Sequence, residues 1–226
     1  MSGKLFLVAT PIGNLQDVTQ RALDTLKSCA AIACEDTRVT SKLLAAYGIS
    51  KPLIIFHEHT QPASVDKLIG RIEAGEDIVY VSDAGTPNMN DPGGKLAQAA
   101  YEAGLTLVPI PGASVLTTAI SVCGFDMQDF HYLGFIPHKK GRQTLFKQIA
   151  ENPTPSVFLE STHRIDKTLA SLHETLESRR LVFVGRELTK LHETLYRGTC
   201  DEVIRRLAAT STKGEFIVIV GPKPKG

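Results

Sequence analysis

The sequence predicts an α/β protein whose first half forms a parallel sheet, and three strand-to-turn stretches carry that prediction. Each is a short apolar run that passes directly into a turn rich in Gly and Pro, at residues 5–14, 78–87 and 105–114. Short β-branched runs bounded by such turns are typical of strands covered on both faces. Because ligands bind at the carboxyl ends of parallel strands, we expect the three turns to line one cleft.

Helices alternate with strands through residues 1–113, which is the pattern of a doubly wound parallel sheet. Two further strands are predicted at 30–34 and 52–56. Asp17 and Gln20 are predicted to form a capping box for the first helix. Asp36 or Thr37 is predicted to cap the second helix, with Glu35 or Arg38 facing the cleft as the alternative. The remaining helices are expected at 64–74, at 96–103 after Asp91-Pro92-Gly93, and at 115–123 after a Ser114 cap.

The second half predicts a separate α/β domain with a mixed sheet, so that the domains cover residues 1–115 and 116–226. Apolar runs predict strands at 130–136, 156–160, 181–184 and 215–220. A basic loop at 138–142 leads into one helix, and helices at 165–176 and 203–208 follow. We find no internal repeat.

Composition narrows the class of protein further. No apolar run approaches the ~20 residues that span a bilayer, so a cytoplasmic protein is expected. The four cysteines lack Cys-x-x-Cys spacing, and no metal is expected. His57 and His59 would share one face of a strand, but a two-His site has no third ligand in view.

Charge and motif content exclude several common activities. Residues 1–110 carry 9 basic and 12 acidic side chains, whereas residues 111–226 carry 16 and 12, which hints at a polyanionic partner for the second half. Gly-x-Gly-x-x-Gly is absent after the first strand, and Met89 stands where a P-loop would begin with Gly. No Gly-x-Ser-x-Gly elbow occurs. Backbone-rich turns with one carboxylate, Asp83, would suit a zwitterionic ligand with hydroxyls and an adenine, although Asp83 could instead bond its own loop.

Six motifs occur in series within a resemblance that covers Leu5 to Val220, and together they are specific. They are Ala9–Asn14, Glu35–Arg38, Ser82–Pro87 with Asp91–Gly93, Pro111–Ser114, Glu160–Arg164 and Arg186–Glu193. In order and separation they resemble the bacterial small-subunit ribosomal RNA ribose 2′-O-methyltransferases of the tetrapyrrole methylase superfamily. The resemblance implies a two-domain, S-adenosylmethionine-dependent enzyme, usually a homodimer, with the donor cleft between the domains. It also implies that the acceptor is the 2′-hydroxyl of a cytidine in the decoding region of 16S rRNA.

The resemblance also assigns residues to the methyl donor, and the chemistry of the reaction suggests further candidates. The methyl donor would be held by Pro11, Gly13, Asp83, Ala84, Gly85, Thr86, Ser114, Val115, Leu159 and Leu188. Candidates for accepting the proton of the attacking hydroxyl are Glu187, Glu160 and His163. Candidates for holding RNA phosphates are Lys139, Lys140, Arg142, Arg164, Arg186 and Lys190. For each of these the alternative is a surface ion pair or a helix cap.

Three departures from the family pattern are visible. Asn88-Met89-Asn90 stands where Gly-Ile-Ser is usual, and Ala113 and Thr162 each replace a proline. Asn tolerates the left-handed conformations that Gly adopts, so we expect the 88–90 loop to keep its shape. Two other functions stay open: methylation of a tetrapyrrole or another small molecule, and a non-catalytic RNA-binding assembly factor.

Overall fold

The computed structural model describes residues 2–224 and divides into two compact units. The first unit ends at Ser114 and the second begins at Val115. The sequence prediction puts this boundary one residue later. Across residues 2–224, no helix combines the length and the apolar content needed to cross a bilayer.

The first unit is a five-stranded parallel sheet in the order β3-β2-β4-β1-β5. The strands are β1 Lys4–Val8, β2 Ala31–Cys34, β3 Leu53–Ile55, β4 Ile78–Val81 and β5 Thr106–Ile110. The helices between them are α1 Gln20–Ser28, α2 Thr37–Ala46, α3 Pro62–Glu73 and α4 Gly93–Glu102. The predicted parallel sheet is confirmed.

The burial of whole strands explains why the sequence predicts this sheet. All four residues of β2 and all four of β4 are buried, and apolar clusters cover both sheet faces. β1 lies between β4 and β5 and pairs with both in parallel. The carboxyl ends of these three strands therefore lie side by side.

Three local predictions in this unit need correction. The cap of α1 is Thr19, whose side chain accepts a hydrogen bond from the Ala22 N–H, and the Asp17–Gln20 capping box is wrong. Asp91-Pro92-Gly93 predicts Asp91 as the cap of the next helix with Pro92 as its first residue, but helix α4 has Pro92 as its cap residue and begins at Gly93. Strand β3 ends at Ile55, so His57 and His59 lie in a turn and share no strand face.

The second unit is a mixed five-stranded sheet in the order β6-β7-β10-β8-β9, and β6 pairs with β7 in parallel. The strands are β6 His131–Phe135, β7 Ser156–Ser161, β8 Leu181–Arg186, β9 Thr194–Thr199 and β10 Glu215–Val220. The helices are α5 Val115–Cys123, α6 Arg142–Glu151, α7 Ile165–Thr175 and α8 Cys200–Ala208. Antiparallel β9 is the strand that the sequence analysis missed.

The core of the second unit includes Phe146, Phe158, Leu169 and Val218. Helix α7 buries Ile165, Leu169 and Leu172 on one face, as the spacing predicted. A smaller apolar cluster on the other side of the sheet, which we call the α5 cluster, is built from Ala119, Phe183, Leu188 and Ile217, with Val115 and Leu159 half-buried against it.

Candidate functional site

Backbone hydrogen bonds join the three turns of the first unit. Thr10 and Gly85 exchange two of them, each N–H donating to the carbonyl of the other residue at 3.0 Å. Nearby, the Ala9 N–H donates to the carbonyl of Ile110 at 3.1 Å. The Thr86 hydroxyl donates to the carbonyl of Ala113 at 3.2 Å. The expected convergence of the turns at one edge of the sheet is therefore confirmed within this unit.

Gly85 lies where the first two turns meet. Its φ of +84° is in the left-handed region, and a Cβ there would lie 3.2 Å from Ile12 Cγ2 and 3.8 Å from the carbonyl oxygen of Ala113. Gly112 is similarly constrained, because its Cβ would lie 3.1 Å from the Cβ of Ala9. Glycine thus lets the turns pack backbone against backbone.

Most of the predicted donor residues of the first unit are accessible. Gly13, Asp83 and Ala84 are exposed, and Pro11, Thr86 and Ser114 are half-buried, whereas Gly85 is buried. In the second unit, Leu188 is buried in the α5 cluster, with Val115 and Leu159 half-buried beside it. The structure thus brings the predicted residues together as one set in each unit.

A group of carboxylates lies at the carboxyl ends of β2 and β4. The Asp83 carboxylate accepts a hydrogen bond from the Asp36 N–H at 3.1 Å, and partial desolvation of this otherwise exposed residue, with the charge of Asp36, raises its pKa. Burial, followed by the charges of Asp91 and Asp83, raises the pKa of Glu35 to about 7. Asp36 caps α2, as predicted, and Arg38 pairs with it. This end of the sheet therefore has a negative potential suited to a cationic ligand.

The loop that departs from the family pattern is well ordered by one side chain. The Asp91 carboxylate accepts hydrogen bonds from the N–H groups of Asn88, Met89 and Gly93, and from the hydroxyl of Tyr80. Asn88 and Asn90 have φ values of 70° and 71°. Asn88, which stands where Gly is usual, therefore adopts the left-handed conformation expected of it.

Glu160, a predicted proton acceptor, is fully enclosed in the second unit. Its carboxylate accepts hydrogen bonds from the Thr168 hydroxyl at 2.6 Å and the Ser161 N–H at 2.8 Å, and it pairs with Arg164 Nε at 2.7 Å. Arg142 Nη1 lies 3.7 Å away. A carboxylate with no exposed surface and this many donors holds the fold and does not reach a substrate hydroxyl, so we correct its catalytic assignment.

The two arginines beside Glu160 also hold the fold. Arg164 donates to the carbonyl of Ile136 at 3.0 Å, and Arg142 donates to the carbonyl of Pro137 at 3.2 Å. Their guanidinium groups thereby tie the basic loop to β7 and α7. This arrangement corrects their prediction as phosphate ligands, since both are largely buried and already paired.

Charged side chains of the Arg186–Glu193 motif are also paired within the second unit. Buried Arg186 donates to the carbonyls of Lys213 and His192. Lys190 pairs with Glu187 at 3.0 Å and with Glu215 at 2.8 Å. Burial alone would raise the pKa of Glu187, but hydrogen bonds from the Glu215 N–H and Lys190 outweigh it and hold the pKa below its ordinary value. Buried Arg186 is therefore a fold contact, which corrects its prediction as a phosphate ligand. The Lys190 side chain keeps about a quarter of its surface exposed, and its phosphate contact stays a prediction. The lowered pKa makes Glu187 a weaker base than an ordinary carboxylate.

Three of the predicted residues remain exposed in the second unit, namely His163, Lys139 and Lys140. Lys167, which the sequence analysis did not select, is exposed on the first turn of α7. Within residues 2–224, none of these four side chains has an ion-pair partner. Because Arg142 and Arg164 anchor the loop against α7, the four side chains lie around the same loop–helix junction.

The family model for tetrapyrrole (corrin/porphyrin) methylases matches residues 4–204 of this chain. The chain belongs to the tetrapyrrole methylase family. Curated proteins named ribosomal RNA small subunit methyltransferase I are similar over almost the whole chain. The protein from Neisseria meningitidis serogroup B is 44% identical, and the match covers 98% of this chain and 77% of that protein. The protein from Escherichia coli O157:H7 is 41% identical, covering 96% and 77%.

Solved structures of other tetrapyrrole methylases share the fold. The uroporphyrin-III-C-methyltransferase of Thermus thermophilus superposes with a TM-score of 0.67 at 18% identity, covering 97% of this chain and 94% of that one. Cobalt precorrin-4 methyltransferase superposes with a TM-score of 0.66 at 14% identity, covering 96% and 94%. At these identities the likeness establishes the α/β fold of the tetrapyrrole methylases and nothing finer.

Proposed function

We propose that this chain transfers a methyl group from S-adenosylmethionine to the ribose 2′-hydroxyl of a cytidine in the decoding region of 16S ribosomal RNA. The observation that carries the proposal is identity of 41–44% over nearly the full chain to proteins named ribosomal RNA small subunit methyltransferase I. A ribosomal substrate would place the protein in the cytoplasm. We include a homodimer in the proposal on the family resemblance alone, and light scattering on the purified protein tests it.

The turns of the first unit fit the methyl donor. S-adenosylmethionine supplies an electrophilic methyl group on a sulfonium centre, and its adenosine and amino-acid parts present many polar atoms. Gly13 and Ala84 expose backbone, and Asp83 exposes a carboxylate for hydroxyl or ammonium groups. A side chain at Gly85 would press on Ile12. We propose that these residues, with Pro11, Thr86 and Ser114, hold the donor, and that Val115, Leu159 and Leu188 provide apolar contacts.

Positioning supplies most of the catalysis in this proposal. Holding the hydroxyl in line with the methyl group can contribute about 7–11 kcal/mol of the barrier, whereas a general base typically adds about 10²–10⁴-fold. His163 is exposed and hydrogen-bonds no other described side chain, and Glu187 retains one carboxylate oxygen outside its hydrogen bonds to Lys190 and Glu215. We propose His163 as the proton acceptor. Glu187 is the alternative, and its lowered pKa makes it a less effective base than an ordinary carboxylate.

The loop–helix junction supplies contacts to the RNA backbone. Lys139 and Lys140 carry exposed charges on a loop fixed by two guanidinium groups, and Lys167 lies on the adjoining helix. Lysines that neutralise phosphates release counterions, so binding weakens steeply with salt. A tetrapyrrole would show little of this dependence.

The test measures methyl transfer from labelled S-adenosylmethionine to small ribosomal subunits from cells that lack the gene, followed by mapping of the modified ribose. Labelling of one cytidine ribose is expected, and transfer to a tetrapyrrole instead would overturn the proposal. Lys139→Ala/Lys140→Ala should reduce the slope of log affinity against log salt by about 1.5. Lys27→Ala/Lys42→Ala removes two exposed lysines of the first unit and serves as the matched control, with an unchanged slope.

A further inference from the structure

One carboxylate, that of Asp91, organises the chain that follows the Asp83–Thr86 turn. Four donors point at its two oxygens, and three of them are backbone N–H groups. They are the N–H groups of Asn88, Met89 and Gly93 and the hydroxyl of Tyr80, at distances of 2.8–3.2 Å. Hydrogen bonds to a charged acceptor are roughly twice as strong as neutral ones, so Asp91 holds this loop firmly.

Tyr80 fixes the carboxylate against the middle strand of the sheet in the first unit. It lies in β4 and is fully buried, and burial, followed by the charge of Asp91, raises the pKa of its hydroxyl, which therefore keeps its proton and donates. Gly93, the first residue of α4, packs so closely that a Cβ there would lie 2.7 Å from Tyr80 Cε1 and 2.8 Å from Asp91 Oδ1. The carboxylate therefore has a fixed place between a central strand and the start of a helix.

The loop that Asp91 holds has a backbone that depends on such contacts. Asn88 and Asn90 have φ values of 70° and 71°, in the left-handed region, and conformations of this kind persist where surrounding contacts hold them. Only Pro87 separates Asn88 from the Asp83–Thr86 turn. The path of the chain directly after the turn is therefore set by Asp91.

We propose that Asp91 is a positioning residue for methyl transfer, which keeps the Asp83–Thr86 turn in the shape that binds the methyl donor. The inference rests on the proposed function, in which that turn contacts the donor. Asp91 acts through the N–H groups of Asn88 and Met89 and not by contact with the reacting atoms. A preformed turn costs the donor no ordering free energy, and the apparent dissociation constant rises as the fraction of molecules with a preformed turn falls.

Asp91→Asn tests the inference, because the amide keeps the size of the side chain but offers one acceptor oxygen. If that oxygen takes the place of Oδ1, the amide NH₂ group faces the Met89 N–H, which is a donor against a donor. Calorimetry with S-adenosylhomocysteine should give a dissociation constant about tenfold higher than wild type, which corresponds to about 1.4 kcal/mol. At saturating S-adenosylmethionine, kcat should stay within about threefold of wild type, because the bound donor orders the turn.

This split between donor affinity and kcat distinguishes positioning from a loss of stability. Gly48→Ala is the matched control in the same unit: at φ +64°, with open space around its Cβ, it lowers stability and should leave donor affinity unchanged. In Asp91→Asn without ligand, the N–H groups of Asn88 and Met89 should exchange hydrogen faster than in wild type. Saturating S-adenosylhomocysteine should restore their protection.

The outcomes separate this inference from the proposed function. An Asp91→Asn protein that binds S-adenosylhomocysteine within about twofold of wild type would overturn the inference alone. A kcat more than about tenfold lower, with donor affinity unchanged, would also overturn it, since Asp91 would then act on the reaction itself. A wild-type protein that binds no donor would overturn the proposed function and the inference together.

Tyr80→Phe replaces Asp91→Asn if that variant does not fold. It removes the hydroxyl that fixes the carboxylate and leaves the three N–H donors in place. The dissociation constant for S-adenosylhomocysteine should then rise about threefold with kcat unchanged. A dissociation constant equal to that of wild type would overturn the inference.

Discussion

Replacing Glu160 by Gln distinguishes a structural carboxylate from a catalytic one. The buried carboxylate pairs with Arg164 at 2.7 Å and accepts hydrogen bonds from Thr168 and the Ser161 N–H. Glutamine keeps the size of the side chain but removes its charge. Two largely buried guanidinium groups, those of Arg142 and Arg164, would then lose their shared counter-charge.

The magnitude follows from these contacts. Breaking a buried ion pair by removing one partner typically costs about 3–5 kcal/mol. Arg164 keeps its bond to the Ile136 carbonyl and Arg142 its bond to the Pro137 carbonyl, which places the expected loss near the lower end, at about 3 kcal/mol. Thr168→Val removes one hydrogen bond to the same carboxylate and should cost about 1.5–3 kcal/mol.

The assay is equilibrium urea unfolding, with hydrogen exchange followed on β7 and α7. Both variants should lose protection there, and methyl transfer per folded molecule should fall less than tenfold. A Glu160→Gln protein as stable as wild type but more than 100-fold slower in methyl transfer would refute the structural assignment. It would return Glu160 to the role of proton acceptor.

Two further predictions concern the first unit. Gly85→Ala should lower the free energy of unfolding by about 1–2 kcal/mol and weaken donor binding at least fivefold in calorimetry, because its Cβ would press on Ile12. Gly48→Ala is the control: at φ +64°, with open space around its Cβ, it should cost similar stability and leave donor affinity unchanged. The raised pKa of Glu35, about 7 against an ordinary 4.5, means that the folded state binds the extra proton between these values. The free energy of unfolding should therefore fall as pH rises from about 4.5 to 7. In Glu35→Gln, urea midpoints measured across this pH range should change less than in wild type. Parallel curves of urea midpoint against pH for the two proteins would contradict the raised pKa of Glu35.

The parallel sheet was predictable because its strands are buried on both faces. Every residue of β4, Ile78–Val81, is buried, so the strand reads as an uninterrupted apolar run. β9, Thr194–Thr199, buries only Tyr196 and Gly198 and lies at a sheet edge, so its apolar content is low. Exposed Leu195 and Arg197 alternate with buried Tyr196 and Gly198, and this alternation was the sequence pattern that could have predicted the strand.

The convergence of the turns was predictable from topology, whereas the individual polar roles were not. Parallel strands place the turns after Val8, Val81 and Ile110 at one edge whatever their side chains. The role of Glu160 depends on three side chains that contact it from other elements. Arg142 is the first residue of α6, Arg164 is the cap residue of α7, and Thr168 lies within α7. The Glu160–Arg164 spacing of four was visible in sequence, but nothing there showed that the carboxylate is buried.

The arginines and lysines predicted as phosphate ligands differ in how they are used in the structure. Arginine carries five donors in a rigid fork and satisfies several carbonyls at once, as buried Arg180 does with the carbonyls of Gly221, Ile149, Ala150 and Asn152. Arg142, Arg164 and Arg186 are used in the same way within the second unit. Among the predicted phosphate ligands, contact is therefore expected from the lysines, and removal of Lys139 and Lys140 should affect the salt dependence of RNA binding without the loss of stability that follows from removing Arg142, Arg164 or Arg186.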